Sequence, residues 1–162
     1  MRHISLLLLL AATSVNATDT QPMRTLDYFQ GSWRCEGVFP ASGRTIASRM
    51  TYVADLQGAA LVKHHDDTSP GARYHAIETW AYDARAGRFN AAIVDSFGGV
   101  RRFGSDGFRQ DTLTWESAAE VAPAQRFAYT RLGPRRYRVD WQVARNGKDF
   151  VVGDTLTCTR DT

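Results

Sequence analysis

Cysteine is scarce in this chain. Cys35 and Cys158 are the only two in 162 residues. Their spacing is too long for a C-x-x-C redox site or a compact zinc motif, and no histidine lies near either. Lysine is also scarce for a chain of net charge +3; only Lys63 and Lys148 occur. The remaining basic residues are arginines that alternate with apolar residues instead of clustering. That spacing suits a solvated exterior and not a phosphate-tracking stripe, so no nucleic acid partner is expected. Beyond the first residues, no segment approaches the roughly 20 apolar residues that span a bilayer. The phosphate-binding loop, dinucleotide fingerprint and zincin motif are absent. Gly104-Ser105-Asp106-Gly107 is not a nucleophile elbow, because its order is wrong and its setting is a turn between strands. Sustained helical periodicity is missing too, which excludes a helix bundle.

The start of the chain is distinctive. Arg2 and His3 precede an almost unbroken apolar run from Ile4 to Ala12, and Val15 and Ala17 form a small-x-small ending. This pattern predicts a signal peptide over residues 1–17, with cleavage after Ala17. Residues 18–162 then form one exported domain, with a core large enough to fold without a metal. The expected location is periplasmic or secreted. An even cysteine count in such a chain predicts a disulfide.

Period-two alternation dominates the rest, the mark of half-buried strands. One short helix is expected at Met23 to Phe29. Ten strands follow: 31–39, 44–56, 59–65, 73–82, 88–96, 100–108, 112–117, 125–132, 135–143 and 149–160. Asn146-Gly147 is a strong hairpin signal before the last. Even strands on short turns predict an all-β fold, a ten-stranded antiparallel up-and-down barrel; a two-sheet sandwich is the alternative. Closure sets the first and last strands side by side. If Cys35 faces Cys158, the register also sets Trp33 against Arg160 and Gly37 against Leu156. The inward residues of the last strand are then Phe150, Val152, Asp154, Leu156, Cys158 and Arg160.

The stretch Gly31-Ser32-Trp33-Arg34-Cys35-Glu36-Gly37 resembles the G-x-W-x-G-x-G opening of nitrobindin-like proteins, within the lipocalin and calycin group. Cysteine replaces the middle glycine. Trp80-Ala81-Tyr82-Asp83 and Ser105-Asp106-Gly107-Phe108 resemble segments of a bacterial family of unknown function with the same barrel. The resemblance implies a last-strand arginine packed over the motif tryptophan, a structural role that Arg160 and Trp33 match. Haem-binding members use a histidine near the chain end. Here His3, His64, His65 and His75 all lie far from it, so haem and other cofactors are not expected.

Several residues could carry chemistry. His64, His65 and His75 are the most suggestive cluster, with Asp66, Asp67 and Glu78 near in sequence. A hairpin centred near Ser69-Pro70 would set His64 opposite His75, a weak candidate metal pair because no third ligand is defined. Asp154 and Glu78 are acidic residues within strands. Asp154 is expected to point inward, whereas the inward face of the strand carrying Glu78 stays open. The candidate ligand-binding set is Tyr52, His75, Glu78, Trp80, Trp115, Tyr129, Trp141 and Asp154. Aromatic walls with a few polar anchors suit a small apolar or amphipathic ligand. Two other functions fit the pattern: an interaction protein with a filled barrel, and a cavity enzyme such as an isomerase, cyclase or hydrolase.

Overall fold

The computed structural model describes residues 22–162. The expected signal peptide and its cleavage point after Ala17 lie outside the described residues, as does His3. A 3-10 helix spans Pro22–Phe29, where a helix from Met23 was expected. Its buried residues, Met23, Leu26 and Phe29, recur every third position, the spacing that stacks side chains on one face of a three-residue turn.

Eleven strands follow: β1 Gly31–Phe39, β2 Arg44–Asp55, β3 Ala60–Asp67, β4 His75–Asp83, β5 Arg88–Asp95, β6 Val100–Ser105, β7 Phe108–Arg109, β8 Thr112–Ser117, β9 Ala124–Arg131, β10 Arg136–Ala144 and β11 Val151–Arg160. All pairings are antiparallel, and all join strands consecutive in the chain apart from β6 with β8 and β1 with β11. With β1 paired to β11, ten strands close into a barrel, and β7 is a stub on β8. The expected sixth strand breaks into β6 and β7. Gly107, at φ +90°, turns the chain there, and its N–H donates to Ser105 Oγ at 3.1 Å.

The closing seam has the expected register. Cys35 and Cys158 are opposite and disulfide-bonded, Trp33 faces Arg160, and Gly37 faces Leu156. A Cβ at Gly37 would overlap Thr155 O, so glycine permits this close approach of β1 to β11. Disulfides form and persist in an oxidising, extracytoplasmic compartment. Among the described residues, no helix is long and apolar enough to cross a membrane.

The inward phase of β11 holds from Asp154 to Cys158 and fails before it. Trp141 pairs with Asp154 but Gln142 pairs with Val152, so a bulge leaves Gly153 without a partner. One extra residue reverses the faces. Val152 is therefore 36% exposed instead of inward. Phe150 lies under the Arg126 guanidinium at 4.1 Å.

The 3-10 helix closes one end of the barrel. Phe29 is fully buried and packs at 5.4–5.6 Å against Tyr52, Trp80, Tyr129 and Tyr137. Trp33 Nε1 donates to Phe29 O at 2.6 Å. The Arg160 guanidinium lies 4.3 Å from the Trp33 ring and donates to the carbonyls of Gln30 and Tyr28. This half of the interior is filled by rings.

Candidate functional site

Beyond that aromatic layer the barrel is hollow. A cavity of about 450 Å³ opens at the end formed by the β1–β2, β3–β4 and β5–β6 connections. The volume is within the roughly 300–1,000 Å³ of small-molecule sites. The β3–β4 loop borders its mouth through Ser69 to Arg73. Both ends of that loop are tied down. Thr68 N donates to Ala47 O, and Ala47 N donates to Ser69 Oγ. On the other side, Ser96 Oγ donates to Arg73 O.

The floor holds a buried ion pair. Alternation along β3 turns Leu61 and Lys63 inward, and along β4 it turns Ala76, Glu78 and Trp80 inward. Lys63 and Glu78 are cross-strand partners. Lys63 Nζ lies 2.7 Å from Glu78 Oε1 and donates to Tyr129 Oη at 3.0 Å. Trp80 Nε1 donates to Glu78 Oε2 at 3.2 Å. The charges are thus hydrogen-bonded on both sides, as buried charges require. Burial pushes the Tyr129 hydroxyl well above its usual range, reinforced by the nearby Glu78 carboxylate.

One wall is polar. Asp67 accepts from Ser48 Oγ at 2.7 Å and lies 3.2 Å from His65 Nε2. Burial lowers the His65 pKa, against the opposing pull of Asp67. Burial alone would raise Asp67, but the His65 and Ser48 hydrogen bonds bring it below the ordinary carboxylate value. Arg101 is held by Asp95, Gln125 and Tyr74. Burial pushes Tyr74 up to about 12, with Glu78 adding and Arg101 opposing.

The other wall is apolar apart from one carboxyl. Trp141, Phe127, Val139, Leu156 and Ile46 line it beside Asp154. Trp141 Nε1 donates to Gln125 Oε1 at 3.2 Å, the oxygen that Arg101 also engages. The Trp141 ring lies against Gly153, where any Cβ would collide with it. The bulge glycine therefore makes the space this indole occupies. Burial raises Asp154 to about 7, with Asp67 and Asp140 adding and Lys63 opposing.

Four residues of the sequence-derived set meet at this cavity: Glu78, Tyr129, Trp141 and Asp154. Three others belong to the packed half. Tyr52 shares a 3.0 Å hydrogen bond with the Tyr137 hydroxyl. Trp80 and Trp115 are buried against each other, with ring centroids 5.0 Å apart. His75 points out of the barrel, its Nδ1 2.8 Å from Asp66 Oδ1. The expected facing of His64 and His75 is corrected by the register, in which His64 meets Ile77 and His75 meets Asp66. The hairpin turns one residue further along the chain than expected, so the pairing slips by two residues. Among the described residues, no three His, Cys, Asp or Glu side chains converge to hold a metal.

Lys63, Tyr74 and Arg101, which also line the cavity, do not stand out as candidates in the sequence. A signal existed for Lys63: a lone mid-strand lysine in an arginine-rich chain, on the face of Leu61. Comparison with known proteins adds no relative: no family model matches the chain, and no curated protein matches it.

Proposed function

We propose that this is a periplasmic or secreted binding barrel of the calycin kind, holding a small apolar or amphipathic molecule in its open half. The carrying observation is the 450 Å³ cavity, with polar groups on the floor and one side and an opposite wall that is apolar apart from Asp154. Such a division orients a ligand through a few anchors while its body replaces water at the rings. The hollow half favours this reading over an interaction protein with a filled barrel. Of the three cavity carboxylates, Glu78 and Asp67 are already engaged by neighbouring side chains, which leaves Asp154 without a second free carboxylate for an acid–base pair and favours binding over catalysis. The compartment rests on the expected signal peptide together with the disulfide.

Native mass spectrometry on protein exported to a periplasm tests the reading, beside the same sample denatured. Excess mass in the native spectrum is expected, and it should vanish in Leu156→Trp, which places an indole in the cavity. A bare native mass, together with no uptake of an apolar fluorescent probe such as 1-aminoanthracene, would overturn it.

A further inference from the structure

Three carboxylates line the cavity, and two are spoken for. Glu78 is bonded to Lys63 and Trp80, and Asp67 to Ser48 and His65. Asp154 differs. Among the described residues it has no hydrogen-bond or ion-pair partner, and burial, not a bond, dominates its environment. Its cross-strand partner is Trp141, and Leu156 shares its face.

The cations around it are committed elsewhere. Lys63 bonds Glu78 and Tyr129, and Arg101 bonds Asp95. Arg44 lies over the Phe39 ring at 4.2 Å, and Arg73 is exposed in the mouth loop. A buried carboxylate without a counter-ion is costly, and a ligand cation would supply one. The adjacent rings suit the same charge, since aromatic faces attract cations.

We propose that Asp154 is the anchor for a cationic head group, so that the cavity takes an amphipathic amine whose apolar body lies against Trp141 and Phe127. This deepens the binding reading and rests on it. The ammonium donates hydrogen bonds to the Asp154 carboxylate. The titratable and charged groups that share the cavity with that carboxylate include Asp67, His65 and Lys63 from β3, Glu78 from β4, Arg101 from β6 and Tyr129 from β9, with Arg44 and Arg73 at the mouth. Asp140 of β10 acts on it from the outer face, where it is bonded to Thr155. Burial, with Asp67 and Asp140 adding and Lys63 opposing, raises the pKa of that carboxyl to about 7. Amine binding therefore displaces a proton, and affinity for the amine rises with pH through that range.

Three matched probes test this by isothermal titration calorimetry: tryptamine, tryptophol and indole-3-acetate, carrying a cation, a hydroxyl and an anion on one ring system. At about pH 8 the intact protein should bind tryptamine about tenfold or more tighter than tryptophol, with indole-3-acetate weakest. Asp154→Asn should abolish the preference while retaining tryptophol binding. In the unmutated protein the preference should shrink at about pH 5.5, where the carboxyl is protonated. Equal binding of amine and alcohol overturns the anchor and leaves the binding barrel standing. Preference for indole-3-acetate also overturns it, and assigns the selectivity to Arg44 and Arg73 at the mouth. Absence of binding by all three probes at millimolar concentration overturns the amine anchor, and the binding barrel then stands or falls by its native mass and its uptake of 1-aminoanthracene.

Discussion

Lys63 Nζ sits 2.7 Å from Glu78 Oε1 under the cavity, with the two side chains only 3% and 5% exposed. The pair separates the filled half of the barrel from the hollow half. Its attraction offsets a large desolvation cost, so its value lies in each partner neutralising the other. Lys63→Met should cost about 3–5 kcal/mol in denaturant unfolding, because Glu78 is left buried and unpaired. Lys63→Met with Glu78→Gln should cost clearly less than the two single changes summed, a coupling that a double-mutant cycle reads directly.

Arg160 ties the 3-10 helix to the seam through the Trp33 ring and two carbonyls. Arg160→Ala should lower stability by about 2 kcal/mol or more, from a lost cation–π contact and charge-assisted hydrogen bonds. Arg160→Lys should restore little of it, since a point charge cannot stack and fork at once. Thermal unfolding followed by near-ultraviolet circular dichroism measures both.

The Cys35–Cys158 bond closes a sequence separation of 123 residues. In the chain-entropy model a loop of this length contributes about 5 kcal/mol. The Cys35→Ala/Cys158→Ala protein should unfold at correspondingly lower urea concentration. An unchanged midpoint would show that the reduced denatured chain is already restricted.

Asp154 sets a pH dependence of the unliganded protein. Its folded pKa is raised to about 7 from 3.8. Between those values the folded state keeps a proton that the unfolded state has released. Stability from this group therefore falls as pH rises from about 4 to 7, and is level above. His65 acts in the opposite sense: its lowered folded pKa makes stability rise with pH up to about 6.5. Asp154→Asn isolates the first effect. The variant should gain stability relative to the parent above pH 7, by at most about 4 kcal/mol, and the gain should vanish near pH 4. Urea titrations across that range check it.

Gly153→Ala should displace the Trp141 indole, because the added methyl meets the ring directly. A cost of about 1–3 kcal/mol is expected for such overpacking. A changed near-ultraviolet tryptophan signal should accompany it, with weakened uptake of any ligand that leans on that wall.

Part of this architecture was readable from residue order. Alternation along the chain identified the strands, and the two cysteines selected the phase of the closing seam, with Trp33 against Arg160. The alternation does not mark the bulge at Gly153, because a single inserted residue reverses the faces before it without disturbing the alternation after it. The β3–β4 register is hidden in the sequence for a related reason. A slip of two residues leaves every side chain on its original face, so the hydrophobic pattern cannot distinguish Lys63 opposite Glu78 from its neighbours.

Sequence alone therefore determined an all-β chain, closed on itself by a disulfide and lined by rings. Alternation suffices for that, because it reports which side of a strand is buried. Tertiary structure decided how those rings share the interior. Phe29 enters from the closed end and gathers Tyr52, Trp80 and Tyr137 around it, which leaves the opposite half to Trp141 and Asp154. Position along the barrel axis depends on strand tilt, register and the plugging helix together, and the period-two pattern of a single strand carries none of these.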